Sequence, residues 1–244
     1  MMITLENFLK GLDDELNIAP QRSSYKPEQW EMRDLLNAMY RIGRTMTPDF
    51  VFDEENMDTY RQLGFWFMND SRMTAFNPNG KGRTAGRLGK GIYLAGNTGT
   101  GKTTAFNILH FLYRKNPFKC LDNVMMWREM RADDIAALYA KMGDIFEIKK
   151  EPFLCIQDLG CEPLESIYMG NRMNVLQDLL CYRGDRRDFV TMITSNIPLE
   201  HEDIRKRYGD RVQSRMIEMM NYLTLTGKDR RKNNGNTEVH SNQL

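Results

Sequence analysis

A glycine-rich segment, residues 96–103, constrains the fold of this chain more than any other part of the sequence. The segment reads GNTGTGKT and fits the pattern GxxxxGK(S/T), in which the backbone N–H groups of a tight turn converge on a phosphate. An apolar run at residues 92–95 precedes it, and an amphipathic run at 103–113 follows it. The pattern thus lies between a predicted strand and a predicted helix, whose N-terminal dipole favours an anion. This order predicts a P-loop inside an α/β domain.

The P-loop pattern assigns roles to individual residues. Lys102 is expected to reach the β- and γ-phosphates of a bound nucleotide, and the Thr103 hydroxyl is expected to ligate Mg²⁺. The glycines are needed because a Cβ would block close approach to the phosphates or forbid a positive φ. The predicted nucleotide-binding residues are Gly96, Asn97, Thr98, Gly99, Thr100, Gly101, Lys102, Thr103 and Thr104.

From residue 91 onward, short apolar runs alternate with helical stretches. Unbroken apolar strands between helices are typical of a parallel sheet that is covered on both faces. We therefore predict an α/β P-loop NTPase fold, with a parallel sheet covered by helices. The predicted strands are residues 92–95, 124–127, 153–156, 189–194 and 222–226, and the predicted helices are 103–113, 133–142 and 171–182, with two more after residue 194.

The rest of the chain divides around this core. Amphipathic runs predict helices near residues 5–16, 27–44 and 53–68, whereas residues 71–90 are rich in glycine and basic residues without an apolar period. No separate lid domain is expected after the last strand. We predict an N-terminal helical segment over 1–70, a basic Gly-rich linker over 71–90, an ATPase core over 91–227 and a mobile polar tail over 228–244.

The composition is ordinary for a globular protein, with 41% apolar residues, 27% charged residues and a formal net charge of +1. The whole-molecule field is therefore weak, and contact with nucleic acid would need a local basic patch. The four cysteines show no metal-ligand spacing, and no apolar run approaches the roughly 20 residues of a membrane span. Acidic residues near the start argue against a signal peptide. We expect a soluble, cytoplasmic protein.

Two predicted strands end in polar residues, and ligands of open α/β sheets bind at such strand ends. The first strand is followed by Gln157 and Asp158, at the position of a Walker B motif, which supplies an acid to the Mg²⁺ shell. The second is followed by Asn196, whose amide could orient a water beside the γ-phosphate. The alternatives are an Asp-Leu-Gly turn in the first case and a helix cap or turn in the second.

Two arginines stand four residues apart in the stretch RYGDRVQSRM. Asp210 is a predicted N-cap, so Arg211 and Arg215 are expected to share one face of the following helix. Because a guanidinium group matches phosphate oxygens, such a pair suits the triphosphate of a neighbouring subunit. The alternative is a solvated charged face paired with Glu218.

These motifs, in this order and at this spacing, resemble the AAA+ ATPases of the DnaC-type helicase loader and IstB-type transposition helper group. The resemblance covers about residues 91–232; TSNIPLE is similar to sensor 1, and RYGDRVQSRMIEM is similar to the arginine-finger region. A basic residue near the phosphates is matched weakly by Arg231. The resemblance implies catalytic roles for Asp158, Asn196, Arg215 and Arg211, and metal ligation by Thr103 and Asp158.

One position departs from the family pattern. The family has two acids where this chain has Gln157 and Asp158, and an amide brings no negative charge to Mg²⁺. Either Asp158 takes over part of the metal role, or ATP is bound and hydrolysed poorly. We expect an ATPase with weak hydrolysis, which suits an assembly switch because ATP can act by stabilising one assembled state.

The resemblance also implies partners: a replicative helicase bound through the N-terminal segment, single-stranded DNA, and further copies of the chain under ATP control. Basic residues of the linker follow the aromatic cluster at 65–67, and the tail adds further basic residues; single-strand binders combine such groups. An aromatic cluster in an apolar helix, however, favours a core role. Three alternatives stay open. They are a transposition helper that assembles on duplex DNA, a P-loop small-molecule kinase, and a binding module with a purely structural nucleotide.

Lys102 provides the first test of this interpretation. ATP with Mg²⁺ at about a hundred times its dissociation constant should stabilise the fold by roughly 2.7 kcal/mol. At this chain length the corresponding rise in Tm is about 5–10 °C. Lys102→Ala should abolish most of the rise in a thermal unfolding measurement, because the lysine contacts to phosphate are lost. An equal rise in the variant would show that ATP binds elsewhere.

Overall fold

The computed structural model describes residues 30–115, 119–120, 123–124, 126–186 and 189–230. The helix predicted near residues 5–16 and most of the predicted tail lie outside these residues. Among the described helices, none is both long enough and apolar enough to cross a membrane. The helices are α1 (Met32–Met46), α2 (Met57–Phe67), α3 (Lys102–Lys115), α4 (Ala132–Met142), α5 (Phe146–Lys149), α6 (Val175–Gly184) and α7 (Glu202–Met219).

A seven-stranded sheet forms the centre of the molecule. The eleven strands of the described residues are β1 (Thr74–Phe76), β2 (Arg83–Ala85), β3 (Gly91–Ala95), β4 (Lys119–Cys120), β5 (Asn123–Val124), β6 (Trp127–Arg131), β7 (Phe153–Leu159), β8 (Ser166–Tyr168), β9 (Asn171–Met173), β10 (Val190–Ser195) and β11 (Met220–Thr224). The sheet has the order β2-β1-β11-β3-β10-β7-β6. Its last five strands in this order are parallel, while β1 and β2 are antiparallel at one edge. The pairs β4–β5 and β8–β9 form separate hairpins.

Each face of the sheet carries its own apolar core. Ile92 and Leu94 of β3 join the core that includes residues of α1, α2 and α3. Tyr93 and Ala95 join the opposite core, which includes residues of α4, α6 and α7. This separation follows from the two-residue period of a strand. The predicted fold class, a mostly parallel sheet covered by helices, is confirmed.

The aromatic cluster at residues 65–67 belongs to the core, as its apolar surroundings in the sequence favoured. The Trp66 side chain is fully buried, and its Nε1 donates to the Lys90 carbonyl oxygen at 2.7 Å. Its ring lies 6.4 Å from that of Phe153 in an edge-on arrangement. The cluster thus joins α2 to the central sheet and is not exposed for stacking on bases.

Residues 71–90, predicted as a linker, contain β1 and β2, and β1 pairs with β11. Asn221 fixes this segment, because its side chain accepts from the Arg87 N–H at 2.8 Å and donates to the Arg87 carbonyl at 2.9 Å. Strands of three residues are too short to show an alternating period in the sequence. The division of the chain into domains stays a prediction. All three arginines in the segment have partners within the chain: Arg72 with Asp70, Arg83 with Asp58, and Arg87 with the Ile217 carbonyl.

Other element boundaries differ from the predicted ones for local reasons. α6 begins only at Val175, because the Asn174 side chain accepts from the Gln177 N–H and caps the helix there. The two helices predicted after residue 194 are present as the two parts of α7, because Gly209, with a φ of 84° and a ψ of 161°, interrupts the helix directly before Asp210. β6 ends at Arg131, four residues beyond the predicted end of this strand.

Candidate nucleotide-binding site

The P-loop connects β3 to α3, as the sequence predicts. Gly99 and Gly101 have φ angles of 81° and 97°, which side chains with a Cβ rarely adopt. The loop from Thr98 to Thr104 lines a cleft of about 980 Å³. The two remaining predicted residues, Gly96 and Asn97, contribute their carbonyl groups to the position of Lys102.

The Lys102 ammonium group connects the P-loop to the tip of the neighbouring strand. Its Nζ donates to the carbonyl oxygens of Gly96 and Asn97, at 2.7 and 2.9 Å, and to Oδ1 of Asn196 at 2.7 Å. Asn196 follows β10, and the strand order places β10 directly beside β3. The structure therefore brings the predicted sensor residue to the predicted phosphate-binding lysine.

A β-bulge shapes the tip of β7. The pairing of β7 with β10 shifts between Ile193 and Ser195, so Gln157 and Asp158 together oppose Thr194, and Asp158 has a φ of 56°. The Thr194 hydroxyl accepts from the Asp158 N–H at 2.9 Å and donates to Gln157 Oε1 at 2.9 Å. A bulge next to a site redirects side chains. Here Asp158 lines the cleft while Gln157 stays buried.

Gln157 forms a hydrogen-bonded network behind the P-loop. Its Oε1 also accepts from the Thr103 hydroxyl at 3.3 Å, and its Nε2 donates to Oε1 of Glu129 at 2.9 Å. Burial raises the pKa of the Glu129 carboxyl, but hydrogen bonds from His110 and Gln157 outweigh this effect and lower it overall. The residue that replaces the expected acid thus lies between a hydroxyl of the P-loop and a carboxylate of β6.

The Asp158 carboxylate has a cationic partner in the cleft. Its Oδ2 accepts from Nη1 of Arg131 at 2.8 Å, and Nε of Arg131 also donates to Asp133 at 3.0 Å. Arg131 is the last residue of β6, so it reaches the same edge of the sheet as Asp158. A metal ion held by Asp158 would therefore compete with the Arg131 guanidinium for this carboxylate, or share the carboxylate with it.

The opposite wall of the cleft comes from residues before α2 and after β11. Arg230 pairs with the Asp53 carboxylate at 2.7 Å, and its backbone N–H donates to the Gly99 carbonyl at 3.0 Å. The side-chain hydrogen bond from Arg230 lowers the pKa of Asp53. Arg231, the weakly matched basic residue, lies outside the described residues, whereas Arg230 lines the cleft.

The cleft is large enough for ATP with Mg²⁺. A volume of about 980 Å³ is at the upper end of the range of small-molecule sites, roughly 300–1,000 Å³. Thr103 and Asp158 both line it and are the side chains that would hold a magnesium ion. The described residues contain no group of three or more His, Cys, Asp or Glu side chains that could hold a metal ion. Two protein groups are sufficient for Mg²⁺, which binds through one or two protein groups plus substrate phosphates and keeps several waters.

Arg211 and Arg215 share one face of α7, as their spacing predicts. Both pair with the Asp185 carboxylate, at 3.1 and 2.7 Å, and Arg215 also pairs with Glu218 at 3.2 Å. Neither arginine lies in the lining of the cleft, where the described cationic side chains are Lys102, Arg131 and Arg230. The role of the two arginines as fingers toward a neighbouring subunit stays a prediction.

Sequence reasoning missed four side chains of this site: Glu129, Arg131, Thr194 and Arg230. Placing the end of β6 at residue 131 would have brought Arg131 to the edge that carries Asp158 and Asn196. Thr194 could have been noticed as a polar residue inside a buried strand. Glu129 and Arg230 carry no such signal, because their roles depend on contacts with residues 28 and 177 positions away.

Comparisons with known proteins give structural similarity only. No family model matches the chain, and no curated protein matches it. A solved primosome component from Streptococcus pyogenes serotype M3 is 20% identical, with a TM-score of 0.49, over 79% of this chain and 97% of that one. The solved DnaI is 20% identical, with a TM-score of 0.44, over 78% and 92%. The solved DnaC helicase loader is 18% identical, with a TM-score of 0.46, over 74% and 95%.

Thr194→Val tests the bulge. Valine keeps the shape but removes the hydroxyl, so the partly buried N–H of Asp158 and the buried oxygen of Gln157 each lose a partner. The free energy of unfolding should fall by about 1–3 kcal/mol, and the Mg²⁺-dependent part of the ATP-induced rise in Tm should shrink. Thr191→Val is the matched control on the same strand, because its hydroxyl accepts from Arg183. Identical ATP-induced rises in the two variants would exclude a role of the bulge in binding.

Proposed function

We propose that this chain is an ATP-binding, DnaC-like helicase loader that acts in DNA replication. One observation carries the proposal: Lys102 and Asn196 meet at 2.7 Å at the edge of the cleft that Thr103 and Asp158 also line. A P-loop, a metal-binding pair and a sensor amide in one cleft are the parts that an ATP-controlled switch needs. The replication role rests on the resemblance of these motifs to the DnaC-type group.

In this proposal the side chains of the cleft exchange contacts within the chain for contacts with ATP. Lys102 releases its loop carbonyl contacts to donate to the β- and γ-phosphate oxygens, while Asn196 stays at the γ-phosphate and orients water. Thr103 and Asp158 hold Mg²⁺. When bound, Mg²⁺ neutralises charge on the phosphate oxygens.

Hydrolysis is proposed to be weak. Gln157 brings no charge to the metal shell, and Asp158 is already paired with Arg131. Both effects reduce the negative charge available to Mg²⁺ and to a polarised water. ATP then acts mainly by stabilising one assembled state, which is sufficient for a loader used as a switch.

Assembly is proposed to place Arg215, with Arg211 beside it, at the nucleotide of an adjacent copy. Support comes from their position: both arginines are at least partly exposed on α7, and their common partner Asp185 is itself exposed. Surface ion pairs of this kind are worth little and are easily exchanged for phosphate oxygens. The in-trans role explains why these arginines stand apart from the cleft of their own chain.

The N-terminal segment is proposed to dock a replicative helicase, and the assembled loader to hold single-stranded DNA. The described part of the segment exposes large apolar side chains, among them Trp30, Tyr40 and Met46, at 39–41% of their area. Such side chains can form the centre of a protein interface. The chain is proposed to work in the cytoplasm, as expected of a replication factor.

Subunit mixing in a helicase-loading assay tests this function. With ATP, a replicative helicase and circular single-stranded DNA, the wild type should load helicase, whereas Lys102→Ala and Arg215→Ala should each fail. A mixture of the two variants should recover part of the loading, because one interface then combines an intact P-loop with an intact finger. Arg205→Ala is the control on α7, since Arg205 is exposed and paired with Asp210.

Three results would contradict the proposal. Loss of ATP binding in Arg215→Ala, with no recovery in mixtures, would place this arginine in its own subunit's site. Assembly on duplex DNA without helicase loading would favour a transposition helper. Transfer of phosphate to a nucleoside or a sugar would identify a small-molecule kinase.

A further inference from the structure

The amide group of Gln157 has two possible orientations, and its partners differ in how they discriminate between them. Thr103 and Thr194 contact Oε1 through hydroxyl groups, which can donate or accept. An amide turned by 180° would present its NH₂ group to the same hydroxyls. Glu129 contacts Nε2 through a carboxylate, which when ionised can only accept. Of these three partners, Glu129 is the one that selects the orientation.

The orientation matters for the proposed metal site. A threonine hydroxyl that gives its oxygen to Mg²⁺ must donate its proton to an acceptor on the other side. Gln157 Oε1, at 3.3 Å from Thr103 Oγ1, is placed to be that acceptor. With the amide reversed, the hydroxyl would face an NH₂ donor, and the positive end of the amide dipole would point toward the cation.

We propose that Glu129 is a positioning residue of the metal site: from β6 it fixes the Gln157 amide so that its oxygen supports Thr103. The chain thus places a carboxylate one strand away from the position where a Walker B acid is expected. This inference rests on the proposed binding of ATP with Mg²⁺ in the cleft.

The surroundings of Glu129 fix the position of its carboxylate. Its strand pairs with β7 in parallel, with Glu129 opposite Cys155, so its side chain reaches Gln157 diagonally. His110 of α3 lies 3.4 Å from the second carboxylate oxygen, and its ring stacks on Trp127 at 5.0 Å. Mutation of an outer partner that orients a metal ligand typically lowers metal affinity about 10–100-fold.

Glu129→Gln is the first variant of the test, because it keeps the shape and removes the constraint on orientation. The readout is the rise in Tm at fixed ATP as Mg²⁺ is titrated, compared with the rise from ATP in the presence of EDTA. The apparent Mg²⁺ dissociation constant should increase about tenfold, while the Mg²⁺-free rise stays unchanged. Glu151→Gln is the matched control, since Glu151 pairs with Arg128 of the same strand at 2.6 Å, outside the Gln157 network. It should leave the titration unchanged.

The exchange variant Glu129→Gln/Gln157→Glu sharpens the test. It moves the carboxylate to β7 and the amide to β6, so the hydrogen bond between the two positions is kept and the metal shell gains a charge. Its Mg²⁺ affinity should equal or exceed that of the wild type. Gln157→Glu alone should be less stable than the exchange variant, because it sets two carboxylates against each other.

The outcomes separate this inference from the proposed function. A wild-type titration curve in Glu129→Gln, or an exchange variant that binds Mg²⁺ no better than Glu129→Gln, would overturn the positioning role while leaving the nucleotide site intact. A wild type that ATP does not stabilise at any Mg²⁺ concentration would overturn the proposed nucleotide site and the inference together.

Discussion

The Thr194 hydroxyl lies between the Asp158 N–H group and the Gln157 side-chain oxygen, and these two contacts tie the tip of β7 to β10. The bulge that these contacts stabilise lets the side chains of two consecutive residues lie on different sides of the same site. Asp158 lines the cleft, whereas Gln157 stays behind the P-loop and meets Thr103. A regular strand would send the two side chains to opposite faces of the sheet. Without the bulge, the site would lose either the Gln157 contact behind the P-loop or the Asp158 carboxylate in the cleft.

The strand order completes the site, because β10 lies between β3 and β7. Asn196 therefore meets Lys102, and Thr194, two residues earlier, meets the bulge. The described N-terminal residues reach the same cleft through Asp53, which pairs with Arg230 on the cleft wall. Thr59 of α2 also donates to the Thr224 carbonyl at the end of β11. In the proposed loader, the segment that docks the helicase is thus in direct contact with the walls of the nucleotide cleft.

Local patterns explain which parts could be predicted from the sequence. The P-loop roles depend on eight consecutive residues, and the parallel sheet depends on apolar runs between helices, so both were predictable. The partner of Gln157 was not, because Glu129 comes to it by strand pairing from 28 residues away and has no motif of its own. The strands β1 and β2 were also missed, since three-residue strands with exposed arginine and threonine resemble a linker. The proposed roles of Arg211 and Arg215 depend on contacts with a second copy of the chain, and such contacts leave no local pattern in the sequence.

Hydrogen exchange tests the central claim, that ATP with Mg²⁺ binds in this one cleft and stabilises it. Backbone amides of the P-loop, residues 98–103, and of the bulge, residues 157–160, should exchange more slowly with ATP and Mg²⁺ than with Mg²⁺ alone. The Arg230 amide, which donates to the Gly99 carbonyl, should be protected together with them. Protection confined to other segments, or equal exchange under both conditions, would contradict the account.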